Sequence, residues 1–193
     1  MKIKKFDWFL LLINVIYLII FTIIFLKRSN MEFLIYVGAI IFALVLIGLL
    51  RMKIQFSKFV LIGLSLVGFL HMLGGALIIE GSRLYVQYFV FGLVKYDLII
   101  HFLGIFFAVL LFYEILRNYI KEVKIIPGFI FFLILFFAGL GIGGFHEIIE
   151  FIIVLIVPET GVGGYANTMW DMVANALGGF CAFILLNIFI RRK

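Results

Sequence analysis

The stretch PGFIFFLILFFAGLGIGGFHEIIEFIIVLIV, residues 127–157, decides the fold of this chain. Its acidic residues are Glu147 and Glu150, and it contains no lysine or arginine. A helix needs about 20 mainly apolar residues to cross a hydrocarbon core of about 30 Å. The stretch is long and apolar enough to predict a membrane-spanning helix.

Five further apolar runs, each shorter but still long enough to span, occur in the 193 residues. The first follows Lys2, Lys4 and Lys5, as a signal peptide would, but it is too long and lacks a small-residue cleavage site, so we expect it to be retained. The sequence predicts an all-α polytopic membrane bundle of six transmembrane helices. The predicted spans cover residues 6–26, 33–50, 59–79, 96–116, 127–157 and 169–190.

The composition supports this class of protein. Hydrophobic residues make up 66% of the chain and charged residues 13%, against about 45–50% and about 25% in soluble domains. A soluble domain of this size could not bury so much apolar surface. The composition argues against a disordered chain, a secreted disulfide scaffold and a nucleic-acid-binding module. The single cysteine, Cys181, cannot form an internal disulfide, and its apolar surroundings favour a packing role.

The basic residues of the connections predict the orientation, because positively charged loops stay on the cytoplasmic side. The N-terminus, the second and fourth connections and the C-terminus hold twelve of the sixteen basic residues, and the other connections hold four. This split predicts a multi-pass protein of the plasma (inner) membrane with both termini in the cytoplasm. The twelve are Lys2, Lys4, Lys5, Arg51, Lys53, Lys58, Arg117, Lys121, Lys124, Arg191, Arg192 and Lys193.

The fifth span is longer than a bilayer needs. As one helix, residues 125–158 would measure about 50 Å at 1.5 Å per residue. Such a helix either tilts and projects beyond the core, or breaks near Gly141–Gly144, where glycine relaxes the backbone. Gly139 and Gly143 have the small-xxx-small spacing that lets a neighbouring helix approach closely, so packing is the alternative explanation for these glycines.

Two connections on the predicted outer side differ from the others. Residues 81–95 are apolar and aromatic but too short to span, so we expect them to lie at the membrane interface or to fold back over the bundle. Residues 158–168 contain a proline and three glycines and predict a loop. Because no internal repeat or low-complexity linker is evident, we expect one integral membrane domain over residues 1–193.

Ionisable residues gather in the predicted outer halves of four spans. Each costs about 2.5–3.5 kcal/mol at mid-membrane and usually faces a cavity or a partner. Flipping the whole chain would move them together, so their convergence does not depend on the orientation. They are His71 in the third span, Asp97 and His101 in the fourth, His146, Glu147 and Glu150 in the fifth, and Asp171 in the sixth, where the polar Asn175 follows one turn later.

The negative charges of the four carboxylates in this group must be compensated. Ionised and unpaired, they would cost roughly 12 kcal/mol at about 3 kcal/mol each, comparable with the whole stability of a typical domain. They must be hydrated, share protons, pair with Arg83 or Lys95, or bind a cation. Carboxylate and imidazole are usual ligands for zinc, manganese and iron, so the sequence predicts a divalent metal site. The predicted metal ligands are His71, His101, Glu147 and Glu150.

Most of these residues also have a structural interpretation. His71 alone fits a hydrogen-bonded helix histidine, and Asp97 and Asp171 fit helix caps. His146 fits a position beside the ligands or at the interface, whereas the pair Glu147 and Glu150 is the hardest to explain by structure alone. Asn14, Glu114 and Asn187 lie toward the other ends of their spans, where we expect them to pack or snorkel.

Four motifs resemble a known family in their order along successive spans. They are His-Met-Leu-Gly-Gly at 71–75, Tyr-Asp-x-x-x-His at 96–101, Glu-x-x-Glu at 147–150 and Thr-Met-Trp-Asp-Met-x-x-Asn-x-x-Gly at 168–178. Over residues 60–190 the chain resembles the YjdF-like inner-membrane proteins, which are similar to the VanZ-like family associated with glycopeptide-antibiotic tolerance.

The resemblance implies architecture and polar positions, and no particular reaction. The chain departs from the family pattern at Ala76, His146 and Asn167, where a histidine, an aromatic residue and an aspartate are more usual. It therefore lacks a second histidine on the third span. The residues that match the polar positions of the family are His71, Asp97, His101, Glu147, Glu150, Asp171 and Asn175.

The leading hypothesis is a metal-dependent hydrolase or transferase that acts on lipid-borne or envelope substrates in the bilayer. The ion would activate the attacking water, Asp97 would orient a histidine or act as a general base, and Asn175 and His146 would support the ligands. The predicted catalytic residues are Asp97, Glu147, Glu150 and Asp171.

Two alternatives stay open at the level of the sequence. The first is a proton- or ion-coupled transporter or channel with a broken fifth helix as its moving part. The second is a non-catalytic envelope protein whose polar cluster only fixes helix register.

Overall fold

The computed structural model describes residues 4–89, 91–120 and 126–189. Within them, six helices are each long and apolar enough to cross a membrane. The prediction of an all-α polytopic fold with six spans is confirmed. The helices are α1 (Lys5–Lys27), α2 (Met31–Arg51), α3 (Lys58–Ala76), α4 (Tyr96–Tyr119), α5 (Gly128–Ile156) and α6 (Tyr165–Phe189).

The chain forms two compact units. Unit 1 comprises Met1–Asp97 and Ile152–Gly161, and unit 2 comprises Leu98–Phe151 and Val162–Lys193. The expectation of one integral membrane domain over 1–193 stays a prediction. Several residues used above lie outside the described ones, namely Lys2, Lys121, Lys124, Arg191, Arg192, Lys193 and the predicted last residue of the sixth span, Ile190.

In unit 1, α2 and α3 begin with suitable capping residues, and an aromatic core lies between the first three helices. The side chains of Asn30 and Ser57 accept hydrogen bonds from the third residues of α2 and α3, which satisfies amides that would otherwise be exposed at a helix start. The core contains Phe21, Phe25 and Phe33, whose rings contact one another in sequence. Burial of these rings packs α1 against α2, and the Phe33 ring also lies against Gly75 of α3.

Two buried polar contacts fix the register of α1 in unit 1. The amide of Asn14 donates to the Ser65 hydroxyl at 2.7 Å, and its oxygen accepts from Tyr17 at 2.9 Å. Arg51, at the end of α2, pairs with Asp7 near the start of α1 at 3.0 Å. The expectation that Asn14 packs inside the protein agrees with this arrangement.

The connection between α3 and α4 belongs to unit 1 and contains two hairpins. Strands β1 (Ile78–Ile79) and β2 (Ser82–Arg83) pair with each other, as do β3 (Tyr88–Phe89) and β4 (Val94–Lys95). The helix α3 ends at Ala76, three residues before the predicted end at residue 79. The reason is the turn at Glu80 and Gly81, whose positive φ angles of 51° and 79° reverse the chain into the first hairpin.

A 3-10 turn (Leu84–Val86) lies between the hairpins and packs onto α3. Its Tyr85 ring lies so close to Gly74 that a Cβ atom there would overlap it. Part of the segment 81–95 thus folds back over its own unit, one of the two expected arrangements. The tip of the second hairpin is open, since Phe91 is fully exposed.

In unit 2, small residues let α4, α5 and α6 approach closely. A Cβ atom on Gly139 would meet Val109 and Ile105 of α4, and one on Gly143 would meet Asn175 of α6. These contacts support the packing explanation for the small-xxx-small spacing.

The helix α5 is continuous over 29 residues, about 44 Å at 1.5 Å per residue. The alternative of a break near Gly141–Gly144 is therefore wrong. Gly141 and Gly144 face open space, and the other glycines serve helix contacts, so the backbone keeps its helical hydrogen bonds through the glycine-rich segment.

The helix α6 begins at Tyr165, four residues before the predicted start. The loop predicted over residues 158–168 therefore ends earlier, at Gly164. Backbone amides of Asn167 and Thr168 donate to the Gly164 carbonyl, which starts the helix directly after the last glycine of the connection. Asp171 is consequently the seventh residue of α6, and its interpretation as a helix cap is wrong.

Candidate metal centre

Unit 2 brings together polar side chains from three helices. His101 lies on the second turn of α4, Glu147 and Glu150 lie toward the end of α5, and Asp171 lies on the second turn of α6. Consecutive spanning helices run in opposite directions, so the start of α4, the end of α5 and the start of α6 share one end of the unit. We call His101, Glu147, Glu150 and Asp171 the four-ligand set.

The four-ligand set is compact and buried. One ligand atom from each residue lies within 4.8 Å of the others. The exposed fraction is 5% for His101, 5% for Glu150 and 0% for Asp171. His101 Nδ1 and Glu147 Oε1 are 3.5 Å apart. These groups interact in a largely water-free setting, where charge interactions are strong.

His146 belongs to a second, overlapping set with His101 and Glu150, again with ligand atoms within 4.8 Å of one another. Its Nε2 lies 3.4 Å from Glu150 Oε1, and its ring meets the His101 ring edge to face with centroids 5.2 Å apart. We call these residues the three-ligand set. His146 is more exposed than the other members, as expected for a residue at the edge of the cluster.

The donor atoms fit a divalent cation. The ligand atoms of a tetrahedral zinc site lie about 3.4 Å apart, since each bond measures about 2.0–2.2 Å. From the observed spread of up to 4.8 Å, the most distant ligand atoms would move about 1.4 Å closer to reach that geometry. A mixture of imidazole and carboxylate suits zinc, manganese or iron better than calcium, which prefers oxygen ligands alone.

One asparagine on α6 contacts the cluster, and a second is buried on the same helix. Asn167 Nδ2 donates to Asp171 Oδ2 at 2.5 Å, one turn before it on the helix. Asn175 is buried, with its amide 3.8 Å from the Met172 sulfur, and within the described chain its buried Oδ1 has no hydrogen-bond partner. Sequence analysis noted Asn167 as a departure from the family and missed its contact with Asp171. Its i,i+4 spacing from Asp171 becomes a signal only when α6 is known to begin at Tyr165.

The other predicted site residues, His71 and Asp97, belong to unit 1. His71 Nδ1 lies 2.6 Å from the Tyr85 hydroxyl, as its interpretation as a hydrogen-bonded helix histidine requires. Asp97 Oδ2 lies 2.9 Å from Lys95 Nζ, which is one of the predicted ways to compensate its charge. Metal binding by His71 and catalysis by Asp97 stay predictions.

A buried carboxylate in unit 1 escaped sequence analysis. Glu32, on the first turn of α2, pairs with Arg83 at 2.5 Å and accepts a hydrogen bond from the Gly161 amide at 2.8 Å. Arg83 was expected among the partners of the polar cluster, but its observed partner is Glu32. The predicted second span began one residue later, at Phe33, so Glu32 was assigned to the connection.

Six candidate spans define a multi-pass membrane protein in contact with the lipid bilayer. The family described as "Predicted membrane protein (DUF2238)" matches residues 8–192, so the chain belongs to this family. The YjdF-like proteins are the same family, and that part of the predicted resemblance is confirmed. No curated protein and no solved structure matches the chain.

Proposed function

We propose that the four-ligand set binds a divalent metal ion, with which the protein acts as a hydrolase or transferase on lipid-borne or envelope substrates. One observation supports this proposal above the others. Three helices bring a histidine and three carboxylates within 4.8 Å of one another in the buried part of unit 2.

The charge of the cluster favours a cation over a purely structural role. Glu147, Glu150 and Asp171 have three negative charges when ionised. Even if His101 and His146 were both protonated, one negative charge would remain. Buried charge without compensation is expensive in a membrane protein, and a divalent ion offsets two charges at once while satisfying several lone pairs.

The residues around the ion would have different roles in binding and catalysis. When bound, a divalent ion polarises a phosphoryl or carbonyl oxygen and acidifies water. Asn167 holds Asp171 through its amide, and His101 supplies a nitrogen ligand. Glu147, next to His101, has the position of a group that binds the ion or accepts a proton from water. Substrates with a membrane-borne part would reach such a site within the bilayer.

The proposal also covers the location. We place the protein in the plasma (inner) membrane with both termini on the cytoplasmic side. In this orientation the cluster lies in the outer leaflet, which faces the envelope substrates. The relation to VanZ-like proteins stays a prediction. The transporter alternative loses the broken fifth helix that was to be its moving part, because α5 is continuous.

Elemental analysis of detergent-purified protein tests the proposal. We expect the wild type to contain zinc, manganese or iron, and the double variant His101→Ala, Glu147→Gln to lose it. Glu114→Gln is a matched control, since it removes a carboxylate from α4 thirteen residues after His101, about 20 Å along the helix. Thermal unfolding of each variant checks folding.

Two results would contradict the metal site. One is equal metal content in the wild type and the double variant. The other is a wild type that holds no metal after reconstitution with each of the three ions, which would favour proton-sharing transport or a structural cluster.

A further inference from the structure

The two overlapping ligand sets describe two positions for an ion. His101 and Glu150 belong to both sets, His146 belongs to the three-ligand set, and Glu147 and Asp171 belong to the four-ligand set. Among the described residues, His146 does not join the other four in one set of mutually close ligand atoms. A single ion at either position would leave potential ligands unused.

We infer that the centre holds two divalent ions, which deepens the proposed function and rests on it. One ion is bound by His101, His146 and Glu150. The other is bound by Glu147, Glu150 and Asp171. Glu150 bridges the ions, because a carboxylate has two oxygens, while His101 serves one ion, since an imidazole normally gives one nitrogen to a metal.

Helical spacing supports this division on α5. His146 and Glu150 are four residues apart, and Glu147 and Glu150 are three apart, so all three lie on one face of the helix. Glu150 lies one turn further along than the other two. Helical bundles that hold two metal ions also project carboxylates and histidines of facing helices inward, although they use a Glu-x-x-His spacing where α5 has Glu-x-x-Glu.

The charge balance points to an anionic substrate. The three carboxylates and one divalent ion leave one negative charge, which would repel a phosphate. With two divalent ions the centre has one positive charge, which attracts it. Paired ions about 3.5–4 Å apart stabilise both the attacking and the leaving oxygen of a phosphoryl transfer. The substrate class this favours is a phosphate ester of a lipid.

Manganese is a suitable probe, because two neighbouring Mn²⁺ ions give an exchange-coupled electron paramagnetic resonance signal. Chelator-treated protein is loaded with Mn²⁺ alone, freed of excess metal, and measured for manganese per chain and for the coupled signal. We expect about two ions per chain and a coupled signal in the wild type and in Glu114→Gln. His146→Ala should keep about one ion and lose the coupled signal.

A second variant distinguishes the loss of a metal ligand from misfolding of the protein. His146→Phe keeps a ring of similar size beside His101, and it should also hold about one ion without coupling. If the wild type and both His146 variants hold one ion each, the two-ion inference is wrong and the proposed metal site stands. If the wild type holds no manganese, zinc or iron, both proposals fail.

Discussion

Asp171 accepts a hydrogen bond that helps to orient its carboxylate. Asn167 donates to its Oδ2 from one turn earlier on α6, and such supporting hydrogen bonds tune a metal ligand. We predict that Asn167→Ala weakens metal binding about 10–100-fold, because mutation of outer partners has effects of this size. Competition with a chelator of known affinity measures the change.

A control for this prediction comes from α4. Asn118 donates to the Glu114 carbonyl at 2.7 Å, also one turn earlier on its helix. Asn118→Ala removes an equivalent amide far from the ligands, and we expect wild-type affinity. Unchanged affinity in Asn167→Ala would mean that Asp171 keeps its position without this bond, or binds no metal.

Glu32 is a residue whose partners are distant in sequence. It pairs with Arg83 and accepts from the Gly161 amide. We predict that Glu32→Gln speeds hydrogen exchange at the Gly161 amide, since removal of a charged acceptor costs about 1–3 kcal/mol. Exchange mass spectrometry of the connection 157–164 reports the effect. Glu159→Gln, in the same connection and exposed, should leave the exchange rate as it is in the wild type.

At the scale of elements, the contact between α4 and α6 depends on Gly178. A Cβ atom there would overlap the backbone carbonyl of Phe102, which cannot move aside as a side chain can. We predict that Gly178→Ala destabilises the protein by about 1–3 kcal/mol, the usual range for overpacking. Thermal unfolding in detergent measures it.

The neighbouring glycine is a matched control. A Cβ atom on Gly179 would lie 3.8–3.9 Å from its nearest neighbours, which is ordinary contact. We expect Gly179→Ala to unfold at or above the wild-type temperature. Equal unfolding temperatures for both variants would show that the two helices can separate at Gly178 without penalty.

The elements themselves were largely predictable from sequence, and their ends were not. Length and apolarity identify a span because the bilayer imposes both. The end of α3 depends on the turn at Glu80 and Gly81, and the start of α6 on the Gly164 carbonyl. These helix ends depend on local backbone conformation. Hydropathy cannot locate them, because the residues on either side of each end have similar composition.

The candidate site was predictable only in part, because some of its contacts depend on the folded backbone and not on a sequence pattern. Charge inside a span singles out His101, Glu147, Glu150 and Asp171 without any structure. Glu32 and Gly161 are 129 residues apart, and no sequence pattern links them. Asn167 stood in a segment predicted as loop, which hid its helical spacing from Asp171.

At the scale of the whole molecule, cysteine labelling measures the orientation. With Cys181 replaced by alanine, cysteines at Lys53 and Ser82 mark the second and third connections, both exposed. A membrane-impermeant maleimide applied to intact cells should label Ser82→Cys at once, because the predicted outer side carries few basic residues. Lys53→Cys should react only after permeabilisation. The opposite pattern would reverse the orientation and move the site to the cytoplasmic leaflet.

The length of the uninterrupted α5 makes the stability of the protein depend on the thickness of the bilayer. At about 44 Å, and even with a tilt of about 40°, it would still cover about 33 Å along the bilayer normal, more than the average hydrocarbon thickness of about 30 Å. Lipids with short acyl chains would leave its apolar ends in water. The protein should therefore be most stable among long-chain lipids, and hydrophobic mismatch would then favour the thicker regions of a cell's membranes.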